Sequence, residues 1–342
     1  MTTMRAAFVA GPRSFAVREV EAPAPEPGEA LVRVRNCGIC GSDLHFYRGD
    51  FPAPPDLVMG HEIAGEVAAV GAGVTGVREG DRVAVEPLVV CGSCAYCRSG
   101  SYQLCPERKL LGTFAAGGFA EYVRVPAAML YPLPGDVPFE LGALVEPVAV
   151  VVHGLRLVRL EGGERVLVLG GGTIGLVSAA VALALGASEA LVAARHPHQR
   201  AAAERLGARA LDAADSGSLN AAAAAAPPDV VVETVGGKAD TLNQAVQLVR
   251  PGGRVSVLGL FTGPVQVNAT LFLLKEVLAA GSITYGRPSV RSDFDVAVDV
   301  VRRMRDRLAG LITHRVPLEA IGEGFAIAAD KSTGSIKVTV DV

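Results

Sequence analysis

Four cysteines, Cys91, Cys94, Cys97 and Cys105, fall in the spacing C-x2-C-x2-C-x7-C. Four thiolates so spaced can close a tetrahedron around one Zn²⁺, leaving no position for water or substrate, and a closed site is structural. Gly92, Ser93 and Gly100 permit the tight backbone that such a lobe requires. Two other uses of close cysteines compete with this one. An iron–sulfur cluster takes the same ligands. Disulfides need an oxidising compartment, and the first 20 residues lack the uninterrupted apolar run and cleavage site of a secretory signal. A nucleic-acid zinc finger would need a basic, aromatic-bearing helix, and only Arg98, Arg108 and Lys109 stand nearby.

A second set of reactive side chains is scattered. "CGICGSDLH" carries Cys40, Ser42, Asp43 and His45; "GHE" carries His61 and Glu62; "LVEPVAV" carries Glu146. Taken singly, a buried cysteine or histidine is more often core than chemistry. Cys37 is read that way, as a small core residue.

A third feature binds anions. Gly170, Gly172 and Gly175 form G-x-G-x-x-G between an apolar strand, "RVLVLG", and a long apolar helix. The first glycine makes the turn, the second lets backbone approach a pyrophosphate, and the third allows close helix–strand packing. The amides of Thr173 and Ile174 then open the helix, where free N–H groups and the helix dipole favour phosphate. About 20 residues on, such units keep an acid that accepts from the adenosine ribose. Here that position is Ala194, flanked by Arg195 and Arg200. A guanidinium fork suits a 2′-phosphate, which a carboxylate would repel. NADP(H) is therefore expected; NAD(H) is the alternative, with both arginines as solvated charges. His196 and His198 are read first as surface residues.

These residues need elements to hold them. The chain has 342 residues, half of them hydrophobic, enough for two domains or one large one. A net charge of −3 gives no field for nucleic acid or anionic membrane. "GALVEPVAVVVHGL" is too short and too polar to span a bilayer. Cytoplasmic localisation is expected. The first 150 or so residues show short Gly- and Val-rich strands such as "ALVRVRNCGIC", "EIAGEVAAVG" and "GDRVAVEP". Beyond Glu164 apolar strands alternate with helices, the pattern of a parallel sheet covered on both faces, with "SITYG" as its expected last strand. "NAAAAAAPPD" is expected to be a helix end or loop.

In order, C-G-S-D-x-H, G-H-E, the four-cysteine lobe, E-P and G-x-G-x-x-G cover essentially the whole chain. This ordered set resembles the zinc-containing medium-chain alcohol and polyol dehydrogenases, the sorbitol dehydrogenase-like group of the medium-chain dehydrogenase/reductase superfamily. The resemblance implies a β-rich GroES-like catalytic domain, residues 1–154 with 287–342 returning to it. A Rossmann dinucleotide-binding domain, residues 155–286, is inserted in it, with the active site in the cleft.

It further implies two zincs per chain. Cys40 and His61 match ligands of the catalytic one, with Glu62 or Glu146 as the third. Three protein ligands leave an open position, where zinc polarises a substrate oxygen. Ser42 and His45 match a proton relay, and Asp43 a partner that orients His61. Val235 and Gly236 match a turn beside the adenosine. "AR-x-P-x-x-R" is similar to NADP-using members. The substrate is expected to be an alcohol/carbonyl pair: a polyol, sugar, cyclitol or secondary alcohol. The Arg of the sorbitol-type Arg–Tyr pair is missing, since Thr284 precedes Tyr285; Arg287 stands nearby. Phe46, Tyr47, Phe51 and Phe119 are candidate wall residues, at least two of them core. A homodimer or homotetramer is expected by analogy. A catalytically inactive zinc- or nucleotide-binding relative is the competing class, though it would be expected to have lost one of Cys40, Ser42, His61 or Glu62.

Overall fold

The computed structural model describes residues 3–52, 54 and 56–342. Its contacts divide the chain into two units. One comprises Met1–Glu146, Gly286–Arg305 and Ile312–Val342, the other Pro147–Tyr285 and Asp306–Leu311.

The first unit opens with an antiparallel hairpin, Thr3–Gly11 on Ser14–Glu21. Its main sheet has seven strands and centres on Glu29–Gly38. Ala30, Val32 and Val34 alternate inward, the two-residue period of a strand with one face buried. The register shifts between Val34 and Asn36, and beyond it Asn36, Cys37 and Gly38 are all buried. One edge of this strand pairs with Glu62–Val70, bringing Gly38 opposite Glu62. The other edge is shared by Tyr122–Pro126 and the last strand, Lys337–Asp341. Cys37 lies in the core with Val34, Ile63, Phe119 and Phe325.

The second unit is a six-stranded parallel sheet. From edge to edge its strands are Arg209–Asp212, Glu189–Ala194, Arg165–Leu169, Val230–Glu233, Arg254–Val257 and Leu278–Gly281. In chain order this is 3-2-1-4-5-6, the doubly wound Rossmann arrangement. Val166, Val168, Val192, Val230 and Val232 are fully buried, as strands covered on both faces require. One expectation fails. The last strand is Leu278–Gly281, and "SITYG" lies beyond it. Ser282 still donates its N–H to the Val257 carbonyl (3.0 Å), but Thr284 takes φ 48°, which turns the chain out of the sheet. The alanine-rich stretch ends the helix Ser216–Ala225, ahead of the Val230–Glu233 strand.

Candidate active site

Cys40 immediately precedes the helix Gly41–Arg48. Asp43, one turn on, accepts from the Cys40 N–H through Oδ2 (2.9 Å), fixing the loop that presents the thiol. The other oxygen of Asp43 faces His61 Nδ1 at 3.5 Å. His61 immediately precedes the neighbouring strand and Glu62 opens it, and both are buried. Cys40, His61 and Glu62 each offer a ligand atom, all within 4.8 Å of one another. Glu146, buried at the start of the Val145–Leu157 helix, is outside that group. Its charge still acts on His61, alongside those of Asp43 and Cys40.

The electrostatics fit a cation. Burial opposes a charge on His61, yet Asp43, Cys40 and Glu146 together hold its pKa well above the usual imidazole value. Burial pushes Glu146 up to about 7, with Glu62 and Asp43 adding to it against the pull of His61 and Lys337. A thiol, an imidazole and a carboxylate converging in a largely buried cluster form the mixed S/N/O set that Zn²⁺ accepts. His61 Nδ1 is buried without a hydrogen bond, so a ligand role for one ring nitrogen leaves the other to Asp43.

Lys337 is a residue that sequence reasoning missed. It is fully buried, ion-pairs with Glu62 and donates from Nζ to the Ile39 carbonyl (2.9 Å). Glycine at position 38 is what makes room. A Cβ there would lie 1.9 Å from Glu62 Oε2 and 2.9 Å from Lys337 Cε. A single lysine in "SIKVTV" carries no periodic signal that could have marked it.

The four cysteines of the lobe also converge within 4.8 Å. Cys91 Sγ lies 3.9 Å from Cys97 Sγ and 3.6 Å from Cys105 Sγ. A tetrahedron with metal–sulfur bonds of about 2.3 Å has edges of about 3.8 Å, so the spacing fits zinc closely. Backbone N–H groups of Cys94 and Cys97 point at Cys91 Sγ and Cys94 Sγ, each at 3.4 Å. The amides of Cys94 and Ser93 pull Cys91 down to about 6, while desolvation and then the Cys94 thiol push Cys97 up to about 12. Such a split belongs to thiols crowded together that share protons.

Ser42 and His45 lie on the Cys40 helix, both half-buried. His45 Nδ1 is 3.0 Å from Asp50 Oδ2, and its ring packs on Phe51 with centroids 5.2 Å apart. Among the candidate wall residues, Tyr47 and Phe119 are core, Phe46 is partly buried and Phe51 is exposed. Arg287 lines a cavity of about 280 Å³ with Glu86, Tyr102 and Tyr131.

In the second unit, a cavity of about 400 Å³ opens over the sheet. Gly170, Gly172, Arg195, His196, Thr234 and Val235 are among its lining residues. Thr173 and Ile174 open the helix Thr173–Ala184. A Cβ on Gly175 would meet the Gly170 carbonyl at 1.9 Å, so this helix packs against its strand only with glycine there. Arg200 is not among the lining residues: its Nη1 donates to the carbonyls of Ala194 (3.2 Å) and Arg195 (2.9 Å). His196, read from sequence as a surface residue, lines the cavity, as does the buried Gln199. Glu233 is a further residue that the sequence pattern does not mark. It is buried and accepts from the N–H groups of Val235 (2.8 Å) and Gly236 (2.9 Å) and from the Thr241 hydroxyl (2.7 Å), shaping one cavity wall.

Among the described residues, no helix is long and apolar enough to cross a membrane. Two family models match: an alcohol dehydrogenase GroES-like domain over residues 26–135 and a zinc-binding dehydrogenase over residues 173–303. L-galactonate-5-dehydrogenase of Escherichia coli K12 is 34% identical over 330 residues, 95% of each chain. A zinc-binding dehydrogenase of Sinorhizobium meliloti 1021, solved bound to NADP, superposes with TM-score 0.90 at 32% identity, covering 100% of both chains. An alcohol dehydrogenase of Escherichia coli CFT073, solved with NADH, superposes equally well, TM-score 0.90 at 29% identity and 100% coverage of both.

Proposed function

Since the chain belongs to the zinc-binding, NAD(P)-dependent medium-chain dehydrogenase/reductase superfamily, we propose that it is a zinc-dependent oxidoreductase that moves a hydride between NADP(H) and a small alcohol/carbonyl pair. A polyol, sugar or cyclitol, or another secondary alcohol, is the substrate class, and the likeness to an enzyme named for L-galactonate, an open-chain polyhydroxy acid, supports a polyhydroxylated substrate. The convergence of Cys40, His61 and Glu62 within 4.8 Å carries the proposal.

Cys40, His61 and Glu62 would hold the catalytic zinc, leaving a position for substrate, with Glu146 close by. Cys91, Cys94, Cys97 and Cys105 would hold the structural one. When bound, the catalytic zinc supplies Lewis-acid polarisation of the substrate oxygen. Asp43 orients His61, and Lys337 holds Glu62. Ser42 takes the hydroxyl proton, and His45, partly open to water, passes it on. Gly170, Gly172, Thr173 and Ile174 cradle the pyrophosphate, Val235 borders the cofactor, and Arg195 meets the 2′-phosphate with Arg200 behind it.

The sheet edge suggests the assembly. Leu278–Gly281 is an edge strand, and Leu273, Leu274 and Leu278 are each about 70% exposed. Edge-to-edge pairing with a second copy would cover them in a homodimer or homotetramer. Thiols held for metal suit the reducing cytosol.

A panel of alcohols and ketones, run with NADPH and with NADH on protein of measured zinc content, tests the function. Turnover with NADPH at two zincs per chain supports it. Turnover with NADH alone would favour an NAD-dependent member, and none with either would favour an inactive relative.

A further inference from the structure

The Arg195 end of the cofactor cavity holds a charge arrangement that two arginines do not describe. Arg200, on the helix Pro197–Arg205, lies with Nη1 3.2 Å from Asp212 Oδ2. Asp212 ends the edge strand Arg209–Asp212 and pairs in register with Ala194, the residue beside Arg195. Its other oxygen accepts from the Ala214 N–H (2.9 Å), so its own turn fixes it. The next residue, Ala213, lines the cavity. A carboxylate therefore stands one strand over from the position that lacks one.

We propose that Asp212 is a specificity-determining residue that limits the preference for NADP over NAD, because its carboxylate offsets the charge of Arg200 and holds its guanidinium against the Ala194 and Arg195 carbonyls. This rests on the assignment of the 2′-phosphate to Arg195. Two guanidinium groups and one carboxylate leave a net single positive charge facing a phosphate that carries close to two negative ones. Removing the carboxylate doubles the net charge and frees Arg200 to swing outward. Both side chains are partly exposed, 27% and 43%, so water and salt temper the effect.

The test is calorimetric titration of the zinc-loaded protein with 2′,5′-ADP and with 5′-ADP, in low and high salt. Asp212→Asn keeps an oxygen for the Ala214 N–H. It should bind 2′,5′-ADP about three- to tenfold more tightly, bind 5′-ADP unchanged, and lose most of the gain in high salt. Asp212→Glu should stay near wild type, and Asp212→Ser serves if the asparagine variant folds poorly. Unchanged or weakened 2′,5′-ADP binding, or an equal gain for both ligands, overturns the proposal. Arg195→Asp separates the two ideas. If it lowers affinity for both ligands equally, the 2′-phosphate assignment fails, whatever Asp212 does.

Discussion

Lys337 and Glu62 form an ion pair across Gly38, with side chains only 2% and 1% exposed. Both charges are out of water, so each depends on the other. Lys337→Met should lower unfolding stability by about 3–5 kcal/mol in denaturant titration, the range for breaking a buried pair. Lys337→Arg should keep the charge and recover part of the loss. A stability of Lys337→Met equal to wild type would show that Glu62 needs no partner.

The three-ligand site predicts a divided zinc content. Cys40→Ala should lower zinc from two per chain to one while the lobe keeps its metal. Turnover should fall by about a thousandfold or more, since a metal contributes several kcal/mol to charge stabilisation. Loss of both metals, or retained turnover, would count against the ligand assignment.

Arg195 lines the cavity, and no carboxylate is among the described residues that line it with Arg195. Arg195→Asp should weaken NADPH binding by about 10- to 100-fold, on the scale of one or two charged hydrogen bonds, and leave NADH nearly untouched. Equal losses, measured by fluorescence titration, would remove Arg195 from the phosphate site.

Glu86 predicts a pH dependence of stability. It is buried and accepts from the Tyr131 hydroxyl (2.8 Å). Burial pushes its pKa from 4.5 to about 7, and Asp293 adds to the shift against the pull of Tyr102, Tyr131 and Arg287. The folded chain thus keeps a proton that the unfolded chain releases. This contribution to stability is full below about pH 4.5 and is lost as pH rises through about 7. Glu86→Gln still accepts from Tyr131 and does not ionise. Relative to wild type it should gain roughly 1–3 kcal/mol between about pH 5 and about pH 8. Parallel stability curves for the two proteins would exclude Glu86 as the cause.

The sequence was most informative where structure is local. The strand, glycine turn and helix around Gly170–Gly175 are legible because apolar runs and close backbone packing leave their mark in consecutive residues. The residue types of the two candidate metal clusters were legible by kind and spacing. What stayed hidden depends on pairing between distant strands. Lys337 meets Glu62 only because Lys337–Asp341 and Glu62–Val70 flank the same strand. Arg200 reads as a ligand of the cofactor, and its contacts with the carbonyls of Ala194 and Arg195 and the carboxylate of Asp212, which come from the neighbouring strand and turn, are not legible in the sequence. "SITYG" has the residue types of a strand, but the sheet ends before it.

The last strand sets an order of synthesis. Cys40, His61 and Glu62 leave the ribosome long before Lys337, with the whole parallel sheet made in between. At about 5–20 residues per second that interval is on the order of tens of seconds. For that time Glu62 lacks its counter-charge and one edge of the Glu29–Gly38 strand is open at Cys37 and Gly38. The proposed metal site thus gains its buried cation late, and a ribosome that stalls before Lys337 leaves Glu62 without it.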